Sequence, residues 1–388
     1  MKTKLLLYGT AFAMLCIQSC KKETAVKSVS GTNGNKKVTA TVAYQDNTIT
    51  NWFKRNANSL GSVAYDQAFS VPLASGKVLW LFGDTFYNDL DANGKVPCWT
   101  ATSGPAFNLH NSVLSQPSTT NWTQSATTNL LRSGSAEIFK AYNVPGGGTN
   151  NYFWPCTGVE INNKVYTYLF KMNGITASNP KLGILNLTTN TVDTTTMVLP
   201  NLNGISFNIG MLKIGTYVYL WGYKVTGPYA ISSIYVARSP IAGGAMTFWN
   251  GSTWVSSAAS AAVIATTSSN AVSVSQVNGK FVLIHTYWSL QCSTVSGADA
   301  VYAQTSANAT GPFNAVTTIY HIPDRKSGAI PFFYTPLIHP EFTANNEFLF
   351  TYCINYYSPC VNSCVNSKAD PDEYRPRAVR VPFSVLGL

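Results

Sequence analysis

The sequence predicts an all-β protein folded as a five-bladed β-propeller, and three observations lead there. Its 388 residues are 45% hydrophobic and 13% aromatic but only 11% charged, ample for a large buried core. Beyond residue 44 there is almost no convincing amphipathic helix, and Gly, Asn, Thr and Ser punctuate short apolar runs as they do in all-β chains. A polar turn followed by a dense aromatic-aliphatic strand then recurs five times. The instances are Gly76-Lys77-Val78-Leu79-Trp80, Asn163-Lys164-Val165-Tyr166-Thr167, Gly215-Thr216-Tyr217-Val218-Tyr219, Gly279-Lys280-Phe281-Val282-Leu283 and Asn346-Glu347-Phe348-Leu349-Phe350. They stand roughly 50 to 90 residues apart, near the length of a four-stranded sheet with its loops. A two-sheet jelly roll is the competing architecture, but it does not require a fivefold repeat. The propeller reading also expects the strand near residues 379–383 to complete a blade with the N-terminal chain, closing the ring.

Residues 1–19 read as a lipoprotein signal peptide. Lys2 and Lys4 form its basic start, and the apolar run over residues 5–17 is too short to span a bilayer comfortably. Ile17-Gln18-Ser19-Cys20 resembles a bacterial lipobox of the kind common in Bacteroidetes, with Cys20 as the lipidated residue. An ordinary secretory leader is the alternative. The expected location is therefore exported and lipid-anchored, on the periplasmic or outer face of the outer membrane, with residues 20–43 as a flexible tether. A single propeller domain, expected to be monomeric, follows over residues 44–388.

Charge distribution bears on partners. Of the formal +10, Lys2 and Lys4 supply two, and Lys21, Lys22, Lys27, Lys36 and Lys37 less Glu23 supply four. The basic character thus lies substantially in leader and tether, and no Lys/Arg cluster is laid out to follow a phosphate backbone, which argues against a nucleic-acid partner. Six cysteines remain once Cys16 and Cys20 are set aside, at 98, 156, 292, 353, 360 and 364, an even number that favours disulfides in an exported protein. Their pairing is open: Cys360 and Cys364 either close a small ring together or each reach elsewhere. The scattered histidines and the lack of a CxxC pair speak against zinc. Asp89-Leu90-Asp91-Ala92-Asn93-Gly94 matches the first half of a calcium loop, but its twelfth position is Thr100 rather than Glu. A polar turn is the preferred reading there, calcium the weaker one, and no cofactor is expected. Serine-hydrolase, nucleotide-binding and zinc-protease motifs are missing from the sequence.

Chemistry is expected from the few carboxylates. Only 16 residues are Asp or Glu, yet Asp66 precedes one apolar strand and Asp84 ends another, Val78-Leu79-Trp80-Leu81-Phe82-Gly83. That second strand is apolar on both faces, where an unpartnered charge is costly. Asp84 could equally cap a turn, whereas Asp66 would open the innermost strand of a propeller, near its axis. Glu341, in His339-Pro340-Glu341, is placed similarly before the last aromatic strand; Glu160, in Val159-Glu160-Ile161, reads more simply as a solvent-facing strand residue. His110 and His339 are either polar residues of a site floor or satisfied core histidines. Trp154, between Phe153 and Pro155, offers a sugar-stacking ring.

The chain also resembles a family. Asp66-Gln67-Ala68-Phe69-Ser70-Val71-Pro72-Leu73, Leu79-Trp80-Leu81-Phe82-Gly83-Asp84-Thr85-Phe86, His110-Asn111-Ser112 and Phe153-Trp154-Pro155 carry the resemblance, followed by Val236-Ala237-Arg238, Trp249-Asn250-Gly251 with Trp254, Gly311-Pro312-Phe313, His339-Pro340-Glu341 and Tyr374-Arg375-Pro376-Arg377. Collinear from about residue 60 to the C-terminus, these pieces resemble bacterial five-bladed propellers long catalogued as a domain of unknown function. Some of those are endo-D-arabinanases of glycoside hydrolase family 183. The chain departs from the pattern at Thr157, where relatives often carry an acid, a role left to the nearby Glu160.

Two functions follow. One is a glycoside hydrolase acting on an extracellular polysaccharide, an arabinan by the resemblance; the alternative is a non-catalytic propeller that binds glycan or protein. Hydrolysis needs two cooperating acids over one cavity, and binding does not. In the hydrolytic reading Asp66 is the ionised carboxylate, Glu341 or Glu160 the acid, and Asp84 a supporting group. His110, Asn111 and His339 would then bind hydroxyls beside a stacking Trp154.

Overall fold

In the computed structural model the described residues are 42–98, 107–140, 151–173, 176–193, 199–287, 297–355 and 364–388. Cys20, the leader and nearly all of the tether, together with Cys292, Cys360 and Thr100, lie outside them.

Each of the five repeats begins the second strand of a blade. Blade I is Ser62–Pro72, Val78–Tyr87, Ser112–Gln116 and Thr128–Asn129, and blade II is Asn151–Ile161, Lys164–Asn173, Thr176–Asn186 and Thr191–Asp193. Blade III contains Ser206–Ile214, Tyr217–Val225, Ser232–Pro240 and Thr247–Trp249, widened by two short strands. Blade IV is Val272–Val277, Lys280–Thr286, Ala300–Ser306 and Thr317–His321. Blade V runs from Phe332–Ala344 through Glu347–Asn355 to Arg377–Pro382, and its outermost strand is N-terminal chain, Tyr44–Gln45. Tyr44 pairs with Arg380 and Gln45 with Val379, so the two ends of the domain close the ring together.

Turn chemistry explains why the repeats were visible. Asn162-Asn163, Asn278-Gly279 and Asn345-Asn346 all take positive φ, the geometry of tight hairpins between right-twisted strands. These turns place every inner hairpin on one face of the propeller. Inner strands of neighbouring blades touch in the order I, II, III, IV, V and back to I, surrounding a common axis. Apolar clusters fill the wedges between blades. The largest joins blades I, II and III through Val71, Leu81, Leu169 and Phe207, and another seats Trp52, from the helix Asn47–Trp52, against Trp80 of blade I.

Cys98 is bonded to Cys364 with their Cα atoms 5.8 Å apart, stapling the segments that pair at Val96–Pro97 and Lys368–Ala369. Cys156 and Cys353 are buried free thiols. In the calcium-like loop, Asp91 Oδ1 accepts hydrogen bonds from the Asn93 and Lys95 amides, both at 2.9 Å, as a turn-capping residue does.

Candidate active site

Asp66 stands where the inner strand of blade I breaks register. Pairing with Val78–Tyr87 shifts on both sides of Gln67, and the two residues after Asp66 take left-handed backbone, Gln67 at φ 64° and Ala68 at φ 139°. Non-glycine residues are held there only when the surroundings dictate it, and such bulges re-aim side chains. Here the bulge lays the Asp66 carboxyl over Gly83. A Cβ at Gly83 would lie 2.5 Å from Asp66 Oδ1, so glycine is required opposite the acid.

The carboxyl of Asp66 is tightly enclosed. The Tyr334 hydroxyl of blade V donates to Oδ2 at 3.4 Å, and the Tyr374 hydroxyl and the Asp84 amide also donate to it. Oδ1 is buried and has no hydrogen-bond partner among the described residues. Burial, reinforced by the negative charge of Asp84, pushes the Asp66 carboxyl well above the ordinary carboxylate range. From the sequence, Asp66 takes the ionised role; burial and the charge of Asp84 act in the other direction and favour its protonated form.

Asp84 is 8% exposed, and its Oδ1 accepts two hydrogen bonds. One comes from the Trp154 indole of blade II at 3.0 Å, and the other pairs it with His110 Nδ1 at 2.9 Å. The His110 ring stacks on Tyr152 with centroids 3.7 Å apart and planes 7° from parallel. Trp154, read from sequence as a sugar platform, thus also orients a carboxylate. Glu137 completes the group, although nothing in its local pattern marked it beyond being the sole acid between Asp91 and Glu160. It accepts the backbone N–H of His110, and burial raises its carboxyl against the opposing influence of His110. Tyr152, Tyr334 and Tyr374 were likewise not singled out as site residues.

The other sequence candidates stand elsewhere. Glu160 pairs opposite Val165, one residue from its hairpin, and its Oε2 accepts the Ala74 amide at 2.5 Å. That is the hairpin face, whereas Asp84 lies six residues along its strand from the hairpin, about 20 Å away at the usual strand rise. Glu341, three residues before the hairpin end of Phe332–Ala344, also lies below the pair, in the axial channel beside Ser70. Strand position thus sets both residues nearer the hairpins than Asp66 and Asp84. Asn111 is fully buried. It donates to the Phe139 and Phe153 carbonyls at 2.7 and 3.1 Å and accepts the Phe139 amide at 2.9 Å, so it clamps the Glu137 loop and has no donor left for a sugar. His339 is also fully buried, between Ser70 and Thr351, and burial lowers it to about 3. It is a neutral core histidine. Thr157 lines the axial channel.

What the fold and site define is a five-bladed β-propeller carrying two neighbouring aspartates, Asp66 and Asp84, at the end of its axis remote from the inner hairpins. The chain belongs to DUF5005, a domain of unknown function, whose match spans residues 46–383. No curated protein matches the sequence. Among solved structures, a "putative hydrolase" from Bacteroides ovatus is similar with a TM-score of 0.65 at 17% identity, covering 87% of this chain and 90% of that one. A family 43 arabinoxylan arabinofuranohydrolase from Bacillus subtilis has a TM-score of 0.49 at 15% identity, covering 83% and 67%. An endo-arabinase from Bacteroides thetaiotaomicron has a TM-score of 0.42 at 13% identity, covering 83% and 94%. The likeness to the B. ovatus protein is one of fold.

Proposed function

We propose that the protein is a glycoside hydrolase that cleaves a polysaccharide at the Asp66–Asp84 pair. One observation carries the reading: Asp66 and Asp84 stand on adjacent paired strands, close enough for the charge of Asp84 to favour the protonated form of Asp66. Asp66, kept protonated by burial and by its neighbour, gives its proton to the leaving glycosidic oxygen. Asp84, fixed by Trp154 and His110, either activates water or attacks the anomeric carbon. Tyr152, Trp154, Tyr334 and Tyr374 supply the aromatic and hydroxyl surface that a sugar ring uses. The resemblance to endo-D-arabinanases makes an arabinan the first substrate to try, and the leader-like N-terminus makes an exported, lipid-anchored location part of the same proposal.

The test is incubation of purified protein with arabinans and other furanose- or pyranose-containing polysaccharides, followed by product analysis. Oligosaccharides should be released, and Asp66→Asn, nearly isosteric, should lower the rate by about 10³-fold with its melting temperature kept. Glycan binding with no product from any substrate would favour the binding propeller instead. Near-parental turnover by Asp66→Asn would refute the role of Asp66.

A further inference from the structure

Val236-Ala237-Arg238 and Trp249-Asn250-Gly251 with Trp254 take no part in the aspartate site, yet the fold brings them together on blade III. Arg238 pairs with Tyr219 on one side and with Thr247 on the other, and Trp249 pairs with Trp254 across the outermost hairpin. Side chains alternate along a strand, so Tyr217, Tyr219, Arg238, Trp249 and Trp254 all stand on one face of the blade, the face turned to blade IV. Tyr217 directly follows the inner hairpin turn, which sets the cluster at the end of blade III remote from Asp66 and Asp84. Arg238, Tyr217, Trp249 and Trp254 are each half-buried.

The guanidinium of Arg238 lies between two rings. Its Cζ is 4.1 Å from the Tyr217 centroid and 4.2 Å from the Trp254 centroid, both within cation–π range. Trp254 is braced in turn by Tyr219, edge-on at 5.6 Å, and by Trp249 at 5.5 Å. The sandwich fixes the plane of the donors but supplies no acceptor. Nε is buried and has no hydrogen-bond partner among the described residues. The buried arginines of the core differ: Arg55 Nε donates to the Ser62 carbonyl at 3.0 Å, and Arg375 Nε to the Val63 carbonyl at 2.7 Å.

Charge sharpens the contrast. Between Asp193 and Asp299 the chain has no Asp or Glu, while Lys213, Lys224, Arg238 and Lys280 fall in the same stretch. Lys224 and Lys280 donate to the Asn203 and Gly387 carbonyls, which leaves their charge uncompensated as well. Blade III therefore offers cations and no carboxylate of its own, and the positive charge of Arg238 favours an anion from outside.

With both faces of the guanidinium covered and Nε enclosed, the terminal NH₂ groups are what remains to meet a ligand. A planar fork of N–H donors matches a carboxylate, which can take two parallel hydrogen bonds from it. The neighbouring indoles match the apolar face of a sugar ring. A uronic acid carries both features on one residue. We propose that Arg238, Tyr217, Trp249 and Trp254 form a binding site for an acidic, uronate-bearing glycan at the hairpin end of blade III. The carboxylate takes the terminal NH₂ groups of Arg238, and the sugar ring lies against Trp249. The site shares no residue with the aspartate pair and stands whether or not that pair hydrolyses a glycan.

The test is isothermal titration of the purified protein, in about 0.15 M salt to screen loose attraction, with a galacturonate trimer and its neutral galactose counterpart. Acetate and inorganic phosphate serve as bare anions. The uronate trimer should bind about ten-fold or more tightly than the neutral trimer, and the bare anions should bind more weakly than the uronate. Arg238→Lys keeps the charge but loses the planar fork, and should weaken uronate binding by about ten-fold. Trp249→Ala leaves the sandwich in place and should weaken it by several-fold. Asp84→Asn, at the other end of the propeller, should leave it unchanged. Equal binding of the two trimers would overturn the proposal, as would uronate binding that either Arg238→Lys or Trp249→Ala leaves at the parental level. Acetate or phosphate bound as tightly as the uronate would overturn it too, because the site would then hold a bare anion and not a sugar. A loss of uronate binding in Asp84→Asn would place the ligand at the aspartates instead. The parent's comparison of trimers and Trp249→Ala decide the matter even if Arg238→Lys does not fold.

Discussion

The two ends of the propeller axis pose the same physical problem and resolve it differently. At one end Asp66, on the inner strand of blade I, has a second carboxylate beside it and tyrosine hydroxyls around it. At the other, Glu341, on the inner strand of blade V, has a serine hydroxyl and no second acid. Both carboxyls are driven toward the protonated form by loss of water, which disfavours the charged state wherever it occurs. The difference lies in what stands next to them. A neighbouring carboxylate favours the protonated form of the first and brings two carboxyls together, the arrangement on which the proposed acid–base chemistry rests. A neighbouring hydroxyl and histidine create only a line of hydrogen bonds, which serves the packing of the ring. A perturbed carboxyl is therefore not in itself a catalytic one.

Breaking the pair should produce the largest effect. Asp84→Asn leaves the shape of the site but removes the negative charge, so turnover should fall by about 10³-fold. It should also return Asp66 toward the ordinary carboxylate range, because one cause of its upward shift is gone. Carboxyl-stretch infrared difference spectra across a pH titration would show the second consequence without relying on activity. If Asp66 titrates unchanged in that variant, the two residues are not coupled and the contrast between the axis ends fails.

Geometry can be broken with charge intact. Gly83→Ala puts a Cβ 2.5 Å from Asp66 Oδ1 and 3.2 Å from the Gln67 side chain, so the bulge must shift. Misplacing a reacting group by about 1 Å costs on the order of 10²-fold in rate, whereas local overpacking costs about 1–3 kcal/mol. The expected variant is folded, modestly less stable in denaturant titration, and strongly impaired in turnover. Full activity would mean that the close approach of Asp66 to Gly83 does not matter for the chemistry.

Why some of this was legible in the chain and some was not comes down to range. Hairpins such as Asn278-Gly279 and Asn345-Asn346 are set by local backbone preference, so five repeats and hence five blades could be read directly. Asp66 and Asp84 stood out because charge interrupts apolar strands, again a local signal. Strand alternation, however, gives the face of a residue and not the end of the axis it occupies. Glu160 and Glu341 were grouped with Asp66 for that reason, although register puts them near the hairpins. His339 and Asn111 had polar side chains in motif positions, and only long-range packing shows that their partners are already protein atoms. Glu137 went unseen because it enters the site from a loop fixed by Asn111, 28 residues away from Phe139 in the chain.

The smallest expected effect sharpens the comparison further. The Tyr334 hydroxyl donates to Asp66 Oδ2 at 3.4 Å, a long hydrogen bond that favours the ionised carboxylate and so opposes the larger influences of burial and Asp84. Tyr334→Phe removes that opposition while keeping the ring. Asp66 should then hold its proton to higher pH than in the parent. If Asp66 is the acid, the rate falls on the alkaline side as this proton is lost, so the alkaline limb should move upward by a fraction of a pH unit. The rate at the optimum should change by no more than a few-fold, because Tyr374 and the Asp84 amide still hold the carboxyl in place. The measurement is a kcat/KM profile from about pH 5 to 10 for parent and variant. An acid limb that moves upward while the alkaline limb stays in place would mean that the ionised form of Asp66 is the working one, and the roles of the two aspartates would have to be exchanged.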